Sequence, residues 1–247
     1  MFGSNKKTSL TPEEYIDIVN VLEGYTTISD LLNGVFKKLG VAHSFYMHFP
    51  AVGAFDFTSS GIFYPYNIPD LITNYYSAHS KYDDDAVIVT TLEKGRPLWL
   101  SDSLKDELVT KIGFDRMVRK ALAAIGDGLC CPLYGPDNRK GFIITCFGRD
   151  KSEFDPIMEH QVQSLAQIMH VRYCLMIKGL QKKVKLTSRE SEVLELISYG
   201  KTNPEIAIIL GISSRTVAVH ASKVFMKLGT SDRVNAAMRA QTINIAL

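Results

Sequence analysis

The chain lacks any uncharged apolar run of the roughly 20 residues that a membrane-spanning helix needs, and Met1 to Leu10 hold no apolar leader core. The expectation is a cytoplasmic protein with no membrane partner. Cysteine is scarce too: Cys130, Cys131, Cys146 and Cys174 are the only four, and none makes a C-x-x-C spacing. In a reducing compartment they read as buried thiols rather than disulfides. The six histidines show no ligand spacing, and neither G-x-S-x-G nor a glycine-rich phosphate loop occurs. No metal site, no cofactor and no enzyme is therefore expected. Gly200-Lys201-Thr202 imitates the tail of a phosphate loop, but Glu195 stands where the earlier glycine is required and no strand precedes it.

What is present is the composition of a globular protein with a sizeable core: 247 residues, 46% apolar and 22% charged. The net charge of +2 hides an asymmetry. From Gln181 to Leu247 ten Lys and Arg face five Asp and Glu, or +5, which leaves 18 against 21, or −3, for residues 1–180. A small basic C-terminal part suits a module that meets phosphates.

The last 60 residues carry the sharpest local signals. Thr187 can cap a helix whose third residue, Glu190, reaches back to it, and Gly200 follows where a left-handed residue stops that helix. Asn203 before Pro204 reads as the cap of a short helix to Leu210, and Gly211 ends it. Ser213 then caps a third helix to about Leu228, and a last helix is expected from Arg233 to Thr242. Two helices joined by a tight glycine turn form a helix-turn-helix, whose second helix enters the major groove of DNA.

Upstream, a capping box at Thr11-Pro12-Glu13-Glu14 opens one helix, and Thr27 to Leu39 makes another. Residues 41–49, VAHSFYMHF, alternate and are rich in aromatics, so they read as a strand. Gly61 to Tyr64, Leu129 to Leu133 and Gly141 to Phe147 are further strands, the last two joined by a turn at Gly135-Pro136-Asp137-Asn138. Helices are expected at Pro69–His79, Asp85–Glu93, Leu104–Ile112, Phe114–Ala123 and Phe154–Ile177. The fold class is α+β: an N-terminal α/β/α sandwich on an antiparallel sheet, then a small all-α four-helix domain with a helix-turn-helix. The domain bounds are 1–177, a linker at 178–184, and 185–247.

From Lys185 to Ala237 the sequence closely resembles the DNA-binding domain of LuxR-type transcriptional regulators. Glu190, Leu194, Gly200, Thr216-Val217, His220, Lys227-Leu228-Gly229 and Asp232-Arg233 fall where that family's pattern wants them. The resemblance implies groove-facing Ala218, Val219 and Ser222, with Arg215 and Lys223 on phosphates. Lys201, Thr202, Ser214 and Thr216 complete the DNA contacts it implies. Residues 15–175 resemble, more weakly, the autoinducer-binding domain of the same regulators. That implies a pocket for an acyl-homoserine lactone or a related small amphiphile, formed by Tyr66, Ile72, Tyr76, Asp85, Trp99, Gly128 and Thr145.

A gapless count from Trp99 selects Asp84 in place of Asp85, with Tyr75 for Tyr76 and Leu71 for Ile72. Both registers stand at the level of sequence. In either, an aliphatic residue occupies the position where the family carries a tryptophan whose indole donates to the lactone carbonyl. An aliphatic side chain cannot donate, so a lactone would lose a hydrogen bond worth roughly 0.5–1.5 kcal/mol net. The functional expectation is a bacterial, ligand-responsive transcription regulator of the quorum-sensing type. Its partners would be an operator in double-stranded DNA, RNA polymerase, a small-molecule signal and a second copy of itself. The alternative is a ligand-independent regulator that heterodimerises with, or inhibits, a related factor.

Overall fold

The computed structural model describes residues 9–51, 54, 62–78, 85–107, 125–180, 184–240 and 245–246. The chain divides into two compact units, Met1–Phe49 with Thr58–Met176 and Pro50–Phe57 with Ile177–Leu247. The first unit is built on an antiparallel sheet of β1 (His43–Phe49), β2 (Ile62–Tyr66), β3 (Leu98–Trp99), β4 (Gly128–Tyr134) and β5 (Lys140–Cys146). Their order is β2-β1-β5-β4-β3. Strands β4 and β5 form the expected hairpin, in register from Gly128↔Cys146 to Tyr134↔Lys140. Its turn places Asp137 and Asn138 at φ 58°, a left-handed conformation that Asp and Asn tolerate. Strand β3 was not expected, because two residues are too few to register an alternating pattern.

Helix α1 (Pro12–Gly24) starts at the capping box: Thr11 Oγ1 accepts the Glu14 amide at 3.3 Å, and Glu14 Oε2 accepts the Thr11 amide at 2.9 Å. Helix α2 (Ile28–Leu39) stops at Gly40, whose φ of 67° favours a residue without a Cβ. After β2 come α3 (Asp70–Ala78), α4 (Ala86–Lys94) and a single turn, α5 (Leu100–Ser103). The helices expected across 104–123 fall almost wholly outside the described residues. Helix α6 (Pro156–Leu180) runs three residues past the expected Ile177 and so takes up the start of the stretch read as linker.

Alternation along each strand divides the sheet's side chains between two layers. Phe45, Met47, Phe49, Cys130, Phe142, Ile144 and Cys146 form one core with Ile72 and Tyr76 of α3 and Ala86, Val87 and Ile88 of α4. The intervening Tyr46, His48 and Tyr64 turn to α6, where all three rings meet Tyr173 within 5.7 Å. Helices on both faces make this unit the expected α/β/α sandwich. Burying each large apolar side chain contributes about 1.5–3 kcal/mol.

In the second unit, α7 (Ser188–Ser198), α8 (Asn203–Leu210), α9 (Ser214–Leu228) and α10 (Arg233–Ala240) follow the short strand β6 (Val184–Lys185), which pairs in parallel with β7 (Ile245–Ala246). The Thr187–Glu190 box caps α7, and Gly200 follows it at φ 76°. One cap differs from expectation. Thr202, not Asn203, precedes α8, since Glu205 Oε2 accepts both the Thr202 amide and its hydroxyl at 2.7 Å. Asn203 instead accepts from Arg233 Nη1 at 3.1 Å. Val193, Ile197, Ile206, Val217 and Ala221 close the core of the helix-turn-helix.

Candidate functional site

Among the described residues, the apolar face of the sheet holds one buried acid. Asp85 caps α4, its Oδ1 accepting the amides of Val87 and Ile88 at 2.9 and 3.1 Å. Its Oδ2 accepts the Tyr76 hydroxyl at 2.5 Å, which joins α3 to α4. Burial pushes the Asp85 carboxyl up, and this outweighs the three hydrogen bonds that act the other way. The Tyr76 ring stacks on Phe63 at 5.3 Å and touches Phe45 at 4.9 Å. One turn before it, Ile72 is fully buried, while Leu71 is 42% exposed. These contacts follow the register of Ile72, Tyr76 and Asp85; Asp84 and the Tyr75 side chain lie outside the described residues. Each carboxylate oxygen can accept more than one donor, so the pair can still receive an amide or hydroxyl proton within an otherwise apolar layer.

Of the seven pocket residues named from sequence, four gather here. Gly128 is the fourth: a Cβ at that position would come within 2.6 Å of Cys146 Sγ and 2.8 Å of Ile144, so only glycine fits. The other three face the opposite layer. Thr145 lies between Ile144 and Cys146 of the apolar core and pairs in register with Ser44 and Leu129. Tyr66 pairs with Ser44 and sets its ring 5.0 Å from Phe36 of α2. The Trp99 indole donates to Glu159 Oε1 of α6 at 2.6 Å and stacks on Phe154. These three therefore lie across the sheet from the Tyr76–Asp85 pair, because the two-residue period of a strand sends neighbours to opposite layers. The alternation of FYMHF sets Phe45, Met47 and Phe49 on one face; what sequence reasoning missed is the rest of that apolar wall, Phe142, Ile144 and Cys130.

The opposite layer holds a buried polar cluster that the sequence does not announce. His48, Arg139, His170 and Cys174 are each no more than 1% exposed. Arg139 Nη1 donates to His48 Nε2 at 2.9 Å, and the Tyr46 hydroxyl lies 2.7 Å from His170 Nδ1. Burial pulls His170 down to about 4, so its imidazole is neutral at neutral pH.

In the second unit, α9 buries Val217, Ala221, Val224 and Leu228 and turns Ser214, Arg215, Thr216, Val219, Ser222 and Lys223 outward. Ala218 is half-buried, and the Ser222 hydroxyl donates to its carbonyl at 3.0 Å. Thr202 is exposed and Lys201 half-buried at the start of α8. Arg215, Val219, Ser222 and Lys223 thus share one open helix face of mixed cationic, apolar and hydroxyl character. Lys227 reaches back to Glu190 at 2.5 Å and holds that carboxyl below the usual range, which ties α9 to α7. Among the described residues no helix is long and apolar enough to cross a membrane.

Comparison with known proteins gives two family matches that lie end to end. The autoinducer binding domain matches residues 25–173, and the bacterial regulatory proteins of the luxR family match residues 184–240. The HTH-type transcriptional regulator y4qH of Sinorhizobium fredii is 30% identical over 168 residues, 66% of this chain; the match spans about half, 51%, of that relative's length. The transcriptional activator protein AhyR of Aeromonas hydrophila is 27% identical over 243 residues, covering 93% of this chain and 92% of that protein. Among solved structures, SdiA in complex with octanoyl-rac-glycerol aligns with a TM-score of 0.69 at 20% identity, over 95% of this chain and 97% of that one. Escherichia coli SdiA in another crystal form gives 0.68. At this identity the likeness is one of fold.

Proposed function

This chain belongs to the LuxR-type family of quorum-sensing transcriptional regulators, and on that premise we propose that it binds a small amphiphile in its first unit and an operator through its second. The observation that carries the reading is the pairing, in one chain, of a buried Tyr76–Asp85 acceptor in an apolar layer with an open helix-turn-helix face. The pocket residues are Ile72, Tyr76, Asp85 and Gly128, lined by Phe45, Phe63 and Ile144. The effector carries an apolar chain and an amide or hydroxyl for Asp85. A lactone carbonyl finds no indole at position 72. The domains run 1–177 and 185–247 with 178–184 between them, and the protein acts by binding, not by catalysis.

DNA is read by Ala218, Val219 and Ser222, partly through apolar contact with thymine methyls and one hydroxyl, while Arg215 and Lys223 meet phosphates. Lys201, Thr202, Ser214 and Thr216 flank that contact. The protein works in the bacterial cytoplasm as a homodimer on a two-fold operator and touches RNA polymerase. The outward stripe of α6, which includes Ile157 at 58% and Leu175 at 49% exposed, supports a contact between copies. Val234 of α10, 67% exposed, supports a second. The extent of the autoinducer-domain match, 25–173, favours this reading over a ligand-independent inhibitor.

The test is DNA affinity of the full chain measured against salt, with sedimentation of the same samples. Lys223→Ala should weaken binding to every sequence and lower the salt slope by about one. Ser222→Arg should change sequence preference instead. An unchanged slope in Lys223→Ala, or a monomer at tens of micromolar with DNA present, would overturn the placement of α9 or the dimer.

A further inference from the structure

The cluster of His48, His170 and Cys174 lies on the α6 side of the sheet, across the strands from the ligand layer, and the proposed function does not use it. One donor atom from each of the three residues falls within 4.8 Å of the other two, and all three side chains are buried. His170 and Cys174 are one helical turn apart and therefore lie on one face of α6. Cys174 Sγ stands 3.6 Å from His170 Nε2. A metal bonded to a thiolate sulfur at about 2.3 Å and to an imidazole nitrogen at about 2.0–2.1 Å holds those atoms roughly 3.6–3.8 Å apart at angles near 110–120°. The observed separation, that of a sulfur hydrogen bond in the metal-free protein, equals that of two ligands on one ion.

Two glycines make room for this arrangement. A Cβ at Gly135 would come within 2.7 Å of Cys174 Sγ and 3.0 Å of His170 Nε2, and one at Gly141 within 2.7 Å of His170 Nδ1. The donors approach the sheet only because both positions carry no side chain. The Tyr46 hydroxyl at 2.7 Å from His170 Nδ1 is the outer partner that ligating histidines ordinarily have. A hydroxyl both donates and accepts, so it can hold the tautomer protonated on Nδ1, and a metal on Nε2 would then replace the hydrogen bonds the ring makes to the Arg139 backbone and to Cys174.

From this geometry we infer that His48, His170 and Cys174 form a binding site for a soft monovalent cation, Cu(I). Charge selects the ion. Arg139, 1% exposed, places its guanidinium 2.9 Å from His48 Nε2. A dication beside a buried guanidinium is costly, whereas Cu(I) with the Cys174 thiolate adds no net charge. The thiolate also favours Cu(I) by its softness. On binding, the Cys174 S–H bond breaks, its proton leaves to solvent and the sulfur bonds the metal. His48 can join only if Arg139 gives up its hydrogen bond to that ring, so loading and the Arg139–His48 contact exclude one another.

The experiment titrates the reduced full-length protein with Cu(I) anaerobically, against a chromogenic Cu(I) chelator, and repeats it with Zn(II). One equivalent of Cu(I) should bind. Cys174→Ser and His170→Asn should each weaken binding by about 100-fold or more, and Tyr46→Phe by roughly 10–100-fold, the usual effect of an outer partner. Cys131→Ala, which alters only the number of thiols, should bind as wild type does. If Cys174→Ser fails to fold, X-ray absorption of the loaded wild type decides: mixed sulfur and nitrogen ligation supports the site, and all-sulfur ligation overturns it. Failure to compete with the chelator, preference for Zn(II), or binding untouched by a folded Cys174→Ser would also overturn it.

Discussion

On the α3 and α4 side of the sheet, β1 presents Phe45, Met47 and Phe49, and the buried acid Asp85 sits among rings and aliphatics. On the α6 side the same strand presents Ser44, Tyr46 and His48, and the last two meet Arg139, His170 and Tyr173. Consecutive residues of one strand thus serve two unlike interiors. Apolar packing is non-directional, so part of it can be exchanged for the chain of an amphiphile at little cost. A hydrogen-bonded network admits few rearrangements, and a half-satisfied one is expensive. The comparison teaches that one face can exchange its packing for an organic guest, while the other can admit only what replaces its hydrogen bonds bond for bond, as a metal held by His170 and Cys174 would.

The largest way to break that contrast is to protonate the polar face. Unfolded His170 takes its proton near pH 6.5 and the folded residue only near 4, because burial resists the charge. Stability should therefore be complete above pH 6.5, fall as pH drops from about 6.5 to 4, and level off below. That interval corresponds to about 3 kcal/mol. Urea unfolding across it should give this slope in wild type and a flatter one in His170→Leu; identical slopes would mean that His170 does not govern that face.

The apolar face is tested by ligand. An amphiphile at 100 times its dissociation constant should stabilise the fold by about 2.7 kcal/mol and raise the melting temperature by several degrees. Asp85→Ala should abolish the shift, and Asp84→Ala should keep it. Trp99→Phe and Thr145→Val, on the other face, should keep it as well. A shift lost in Trp99→Phe but retained in Asp85→Ala would reverse the assignment of the two faces.

A smaller effect sharpens the comparison at position 72. Ile72→Trp enlarges a fully buried side chain and should cost about 1–3 kcal/mol in the unliganded protein. It should also add an indole donor, so acyl lactones should gain affinity worth roughly 0.5–1.5 kcal/mol, while hydroxylated amphiphiles gain none. Thermal shift and titration on the same samples separate the two contributions. Equal gains for both ligand classes would show that the indole does not reach a carbonyl.

The sequence was most readable where an interaction spans three or four residues. The boxes at Thr11–Glu14 and Thr187–Glu190 and the stop at Gly211 are short-range events, and the second unit is assembled from them. Even the one misplaced cap, Asn203 for Thr202, erred by a single residue, because Thr202 and Asn203 are both good cap formers and only the reach of Glu205 distinguishes them. The candidate site was less readable. Ile72, Tyr76 and Asp85 share a helix and its neighbour's cap, so their spacing was informative. Tyr66, Trp99 and Thr145 lie on strands, where a shift of one residue moves a side chain to the other layer.

Amino-acid order by itself determined most of the described elements and the helix-turn-helix with its basic surroundings, since each depends on neighbours within about one turn or one strand period, and it left the choice between Asp84 and Asp85 open. Only the tertiary structure decided which strand residues share a layer. It brought His48 from β1 to His170, 122 positions later, and it set the Arg139 guanidinium 2.9 Å from His48 Nε2. Such pairings arise from strand register and helix docking, which are set by the packing of the whole unit and leave no fixed spacing in the chain.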